Sequence, residues 1–307
     1  MGVGHGHGHA EGRAADRRRL IQVLLVTSSV LVIQVFGAWV TGSLALLADA
    51  GHMATDASAV LIALSASYVA TRPAGPKATF GWHRSEVLAA LVNAVVLLGV
   101  CGFLGWSAIR RLAEPAEVEG RGMLLFALAG LAANLVSLAI MAQADRTSLN
   151  VRGAFLEVLT DALGSVLAIA AGAVIWATGW TQADALATLF IALLILPRSL
   201  SLIRDSAAVL LETTPRDLDL VEVERHLREV PGVTDVHDLH AWTITSGMPS
   251  LSAHVAVAEE VLAERGVGAL LDELTHCVAE HFEIRHATFQ VEPAEHRDHE
   301  DLGGPGC

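Results

Sequence analysis

With 307 residues, 53% of them hydrophobic and 17% charged, the chain is too apolar for an ordinary soluble domain, and a mean hydropathy of +0.50 marks it as a membrane protein. The net charge of −13 comes from acidic residues concentrated after Leu211, so it describes a soluble portion and argues against nucleic acid as a partner. Cys101, Cys277 and Cys307 lie far apart with no CxxC, which argues against a disulfide framework and a thiolate zinc site.

Residues 1–19 form a His-rich polar tail in which His5, His7 and His9 alternate with glycine. It reads either as a loose metal-gathering arm or as a cloning remnant, and it lacks the order of a signal peptide. Apolar runs of about 20 residues, the length needed to cross a bilayer, fall at 20–41, 43–70, 86–109, 123–142, 148–177 and 183–203. They predict a membrane α-helical bundle of six transmembrane helices over 20–211. Six crossings leave both ends on one side. Arg13, Arg17, Arg18, Arg19, Arg72, Lys77, Arg84, Arg146 and Arg152 share one face, whereas Arg110, Arg111 and Arg121 opposite are diluted by Glu114, Glu117 and Glu119. The positive-inside rule therefore predicts a multi-pass protein of the cell membrane with both termini cytoplasmic.

Past Glu212-Thr-Thr-Pro215 the composition changes, and residues 212–295 read as a small α+β cytoplasmic domain. A helix over 217–229 stops at Pro231-Gly232. Two alternating strands, 233–245 and 251–258, flank a turn at 246–249. A second helix lies within 261–282, and a third strand spans 286–291. The order α-β-β-α-β predicts helices on one face of a small sheet. Residues 296–307 are expected to be a flexible tail.

The chemistry lies inside the second apolar run. Asp49, His52 and Asp56 occur there at helical spacing, and a carboxylate at the centre of a membrane helix costs roughly 2.5 to 3.5 kcal/mol, so such a cluster marks a functional site. His52 and Asp56 are four residues apart and share a helix face; Glu157 and Asp161 in the fifth run repeat the spacing. Four nitrogen and oxygen ligands from two helices suit a tetrahedral divalent cation, zinc first. Depth agrees: at about 1.5 Å per residue, His52 lies about 14 Å from Ser43 and Glu157 about 14 Å from Ser148, in helices of opposite direction. Asp49, one turn outward, is read as a supporting acceptor or part of the exit mouth. Gln34, Asn93 and Asn134 are read as structural groups bonding helix to helix.

The motifs Ser43-Leu-Ala-Leu-Leu-Ala-Asp-Ala-Gly-His52-xxx-Asp56, Thr79-Phe-Gly-Trp-His-Arg-Ser-Glu86 and Asp161-Ala-Leu-Gly-Ser165 resemble the cation diffusion facilitator family, in its bacterial cobalt-zinc-cadmium branch, similar to eukaryotic zinc transporters. The resemblance continues through Val230-Pro-Gly-Val-x-x-Val-His-Asp-Leu-His-Ala-Trp242 and His286-Ala-Thr-Phe-Gln-Val-Glu292, covering nearly everything after Leu20. It implies a homodimeric exporter, conferring metal resistance or homeostasis, that exchanges a divalent cation (Zn2+, with Co2+ or Cd2+ as alternatives) for protons at His52, Asp56, Glu157 and Asp161. It also implies a metallochaperone-like cytoplasmic domain with a second metal site at His237, His254, His286 and Glu292, and a charge interlock between Arg84 and Glu212 near the dimer axis. Two departures stand out. Zinc members often carry His where this chain has Glu157, which makes the site harder and more anionic. Trp82 stands where some bacterial relatives place a histidine ligand, leaving His83 a marginal candidate.

Proton exchange is implied by the ligands as well: His52 holds a metal only as neutral imidazole, so protons compete with metal. A membrane metalloenzyme would need a general base beside the metal, as in HExxH, and no such motif occurs. A sensor that used its helices only as an anchor would not need paired ionisable residues at midplane depth.

Overall fold

The computed structural model describes residues 25–70, 75–76, 78–142, 149–245 and 247–299. The His-rich tail, all but four residues of the expected C-terminal tail, and the orientation residues Arg72, Lys77 and Arg146 lie outside these. Among the described residues six helices come first: α1 (Leu25–Thr41), α2 (Leu44–Ala70), α3 (Arg84–Ala113), α4 (Gly120–Ala142), α5 (Leu149–Thr178) and α6 (Gln182–Leu210). Next in the chain are α7 (Leu220–Arg228), β1 (Val233–Thr245), β2 (Met248–Val257), α8 (Glu259–Phe282), β3 (His286–Pro293) and a 3-10 turn over Ala294–His299. Among the described residues, α3, α4, Phe155–Thr178 of α5, and α6 are long and apolar enough to cross a membrane, while α1 is shorter. The chain forms two compact units, residues 1–64 with 92–203, and residues 65–91 with 204–307. The C-terminal ends of α2 and α6 and the N-terminal end of α3 thus group with the C-terminal domain, a division that composition alone does not reveal.

In the first unit the burial pattern inverts that of a water-soluble bundle. Along α4 the buried positions are Gly120, Met123, Ala127, Gly130, Asn134, Ser137 and Met141. Leu125, Leu128, Leu135 and Val136 point outward. Lipid tails are as apolar as leucine, so helix association gains from close packing of small residues and from hydrogen bonds. A Cβ at Gly120 would lie 2.7 Å from the backbone nitrogen of Trp176, and one at Gly172 would lie 2.9 Å from that of Leu124. The backbones of α4 and α5 therefore touch along a seam. Asn134 adds a hydrogen bond to Ser165 at 3.3 Å, the helix-to-helix role expected of it.

The start of α2 is fixed by a carboxylate from another helix. Asp184, fully buried in the first turn of α6, accepts the Leu44 N–H at 2.8 Å, the Ala45 N–H at 3.1 Å and the Ser43 hydroxyl at 2.6 Å. A helix N-terminus leaves its first amides without internal partners and carries partial positive charge, so an acid there satisfies both demands. The Arg111 guanidinium lies 3.5 Å from the same carboxylate and donates to the Gly42 carbonyl at 2.6 Å. This knot sets the register of α2, and with it the depth of His52.

In the second unit, β1 and β2 form the expected antiparallel hairpin, and β3 returns parallel to β2 after the α8 crossover. Asp219 caps α7 by accepting the Val221 N–H at 2.9 Å. Val223 and Leu227 of α7 and Leu270, Leu274 and Val278 of α8 pack with Val236, Leu251, Ala253, Val255 and Val257 of the sheet. Alternation places His254 on the other face of β2. The expected tail begins instead as the 3-10 turn.

The α4–α5 seam makes a measurable claim. Gly172→Ala should cost about 1–3 kcal/mol as an overpacking change and lower the thermal midpoint of the purified protein in detergent. Gly102→Ala, at a position inside α3 where an added Cβ meets nothing within 4 Å, should leave it unchanged or raise it. Equal midpoints for the two variants would refute the close approach.

Candidate functional site

His52 is the centre of the helical constellation. It is buried on α2, and its Nε2 lies 3.3 Å from Asp56 Oδ2 and 3.3 Å from Asp161 Oδ1. Neither ring nitrogen has hydrogen-bond geometry to any described partner. Two carboxylates, one on α2 and one on α5, therefore flank one imidazole nitrogen, off the angles of a hydrogen bond. Asp161 is 4% exposed, and a small cavity lined by Asp49, His52, Thr160, Asp161, Gly164, Ile191, Leu194 and Ile195 adjoins it.

The remaining acid, Glu157, joins the others through a residue that sequence reasoning passed over. Arg198 of α6 places NH2 3.3 Å from Glu157 Oε2 and NH1 3.8 Å from Asp56 Oδ2. The signal was available: Arg198 follows Pro197 inside an otherwise apolar run, but counting loop charges overlooks a cation within a helix. Asp184 was missed likewise, being an acid in a first turn whose partners lie on other helices. Asp49 is buried and accepts the Gln34 amide at 2.9 Å, so Gln34 supports the cluster instead of merely joining helices.

The sheet unit holds a second group. His237, His254 and Glu292 each offer a ligand atom, all within 4.8 Å of one another, the one such group of three among the described residues. His237 Nε2 lies 3.2 Å from Glu292 Oε1, and His254 Nδ1 lies 3.9 Å from Glu292 Oε2. Register explains the convergence: His237 pairs with His254 across the hairpin, while Glu292 pairs with Ala256 on β3. The fourth expected member does not join them. His286 pairs with Ser250, four positions along β2 from His254, and its ring stacks edge-on against Phe80 at 5.3 Å. Strict alternation would also send Asp238 to the face opposite His237. A register shift between His237 and His240 and a left-handed φ of 48° at Asp238 break the alternation. Its carboxylate thereby approaches His240 at 2.9 Å and His254 at 3.7 Å.

Within the same unit Arg84 NH2 and Glu212 Oε1 are 2.5 Å apart. Glu212 has a φ of 56° just past the end of α6, a position where glycine or asparagine is usual. Thr245 of β1 donates to Glu86 at 3.2 Å, which ties the first turn of α3 to the sheet.

Comparison with known proteins bears on what these groups do. The family model described as the cation efflux transmembrane domain matches residues 20–211, and the one described as the cation efflux protein, cytoplasmic domain matches residues 215–294. The chain is 44% identical to the metal cation efflux system protein CzcD of Cupriavidus metallidurans, over 97% of this chain and 93% of that one. It is 40% identical to the zinc transporter ZitB of Escherichia coli, over 99% and 96%. It is 36% identical to a cadmium, cobalt and zinc/H(+)-K(+) antiporter of Bacillus velezensis, over 96% and 93%.

The ion pair beside the sheet is open to a charge-swap test. Arg84→Glu and Glu212→Arg should each lower the thermal midpoint of the full-length protein, and the double variant should recover part of the loss. Both side chains are substantially exposed, so the coupling should not exceed about 1 kcal/mol. Strictly additive losses would count against the pair.

Proposed function

The chain belongs to the cation efflux family of membrane transporters, and on that premise we propose that it exports a divalent metal ion in exchange for protons. It is a transporter and not an enzyme. Zinc is the first candidate cargo, with cobalt and cadmium as alternatives, and His52, Asp56, Glu157 and Asp161 are the proposed transport ligands. One observation carries the reading: buried His52 Nε2 lies between Asp56 and Asp161, donors from two helices. Imidazole and carboxylates suit zinc and its neighbours among divalent ions, and the excess of oxygen over nitrogen broadens the range of ions admitted.

The proton side rests on the same residues. His52 ligates only when neutral, and the carboxylates only when ionised, so metal entry displaces protons and metal departure invites them. An anionic cluster crossing a low-dielectric layer uncompensated is costly. Protons taken up on the far side let the unloaded site return. Six membrane crossings, both termini in the cytoplasm and a homodimeric assembly complete the proposal. The group His237, His254 and Glu292 is proposed as a regulatory metal site, with His286 outside that triad in the single chain. The expected cellular role is metal resistance or homeostasis.

The deciding experiment uses proteoliposomes with an imposed pH gradient and a trapped pH dye. Metal uptake should accelerate when the receiving compartment is acidic, and a metal pulse should drive protons the opposite way. Asp161→Ala should abolish flux while leaving the protein folded. Flux that ignores the gradient would make the protein a uniporter, and wild-type flux in Asp161→Ala would overturn the ligand assignment.

A separate prediction concerns the sheet unit. His237→Ala combined with His254→Ala should weaken zinc binding by the isolated 215–295 segment yet leave residual flux in the full protein. Complete loss of flux from a folded, dimeric double variant would instead put this group on the conduction route.

A further inference from the structure

We infer that Arg198 is a tethered cation of the transport site: it sets the site's net charge and shares Asp56 and Glu157 with the metal being moved. The inference rests on the transport-site reading above and adds to it a residue that is not a metal ligand but governs how tightly the ligands hold.

The helices bring this cation to the right level by a common origin. Asp184 binds the first amides of α2 and itself stands in the first turn of α6, so the two helices start from one anchor. At about 1.5 Å per residue, Asp56 lies about 18 Å along α2 from Leu44 and Arg198 about 21 Å along α6 from Asp184. A helical side chain leans toward its own N-terminus, so Arg198 reaches back to the level of Asp56. Its two guanidinium nitrogens divide between acids on two different helices, at 3.8 Å from Asp56 and 3.3 Å from Glu157. The planar fork of arginine permits such a bridge, and its charge is permanent.

Charge counting gives the bridge its purpose. Asp56, Glu157 and Asp161 bring three negative charges around a neutral His52, and a divalent cation would leave one uncancelled. In a medium of low dielectric an uncancelled charge is the most expensive feature a site can carry. Arg198 supplies the missing unit, so the group with its metal sums to zero. Asp49, which accepts the Gln34 amide, is not among the four proposed ligands and is left out of this sum. The same cation limits affinity: every carboxylate oxygen that faces the guanidinium is less available to the metal, and an exporter that bound its cargo too tightly would not release it.

A purely structural bridge between α2, α5 and α6 would predict something different on removal, namely loss of stability and weaker metal binding together. The test therefore measures Zn2+ binding and Zn2+ flux with the purified full-length protein, in a His237→Ala, His254→Ala background that silences the sheet group. Arg198→Gln should lower the Kd for Zn2+ by about tenfold, because one repelling unit charge is gone, while slowing turnover, so that KM and kcat fall together. Arg198→Lys keeps the charge but loses the fork, and should leave the Kd closer to the parent than Arg198→Gln does. Glu157→Gln alone should weaken binding, and Glu157→Gln with Arg198→Gln should return the Kd toward the parent value. If Arg198→Gln yields no folded protein, Arg198→Leu, better suited to an apolar helix, takes its place in the cycle.

Weaker or unchanged Zn2+ binding on removal of Arg198, or no recovery in the double variant, overturns the inference. Asp161→Ala separates the two levels of claim. If it binds Zn2+ like the parent, the transport site itself is misassigned; if it loses Zn2+ while Arg198→Gln behaves as the parent, only the role of Arg198 fails.

Discussion

Among the described residues, the acids inside the helical unit lie against polar or charged groups, and that constraint organises the rest. A bare carboxylate in hydrocarbon is expensive, so its position dictates the neighbours that must surround it. Asp184 takes the amide end of α2 and the Arg111 guanidinium. Asp49 takes the Gln34 amide, and Asp161 and Asp56 flank His52. Glu157 takes Arg198. All of these pairings but that of Asp56 with His52 join different helices, so satisfying the charges also fixes how the helices meet.

Two sorts of polar contact result, and they differ in what they permit. The Asp184 knot uses backbone amides, which cannot change protonation or leave, and it behaves as a fixed joint. The His52 group is built from ionisable side chains alone, the property that the proposed exchange of metal for protons requires. Permanent anchoring near one end of α2 and exchangeable charge a few turns further along are properties of a single helix.

Much of this was legible in the sequence because it is local. The i,i+4 pairs at His52 with Asp56 and at Glu157 with Asp161, the hairpin and the crossover helix are all set by period and turn residues. What was not legible is long-range. Nothing near Arg198 announces that it faces Asp56, 142 positions earlier, and an arginine in an apolar run reads as a boundary marker until packing shows otherwise. His286 shows the same limit from the other side. Its type and its place in a motif recommended it as a ligand, but strand register sets it four positions away from the triad. The bulge at Asp238 is invisible to alternation, because one left-handed residue reverses the face presented by the residues after it.

The glycine seam between α4 and α5 has a mechanical meaning beyond packing. Helices held apart by leucines can slide, since flexible side chains rearrange at little cost, whereas helices in backbone contact have no such lubricant. α4 and α5 are thereby fused into one strut, and Glu157 and Asp161 ride on it as a fixed pair. On the proposed transport reading, the displacement that exposes the cation first to one side of the bilayer and then to the other falls where that strut borders α2 and α6, across the ionisable group itself.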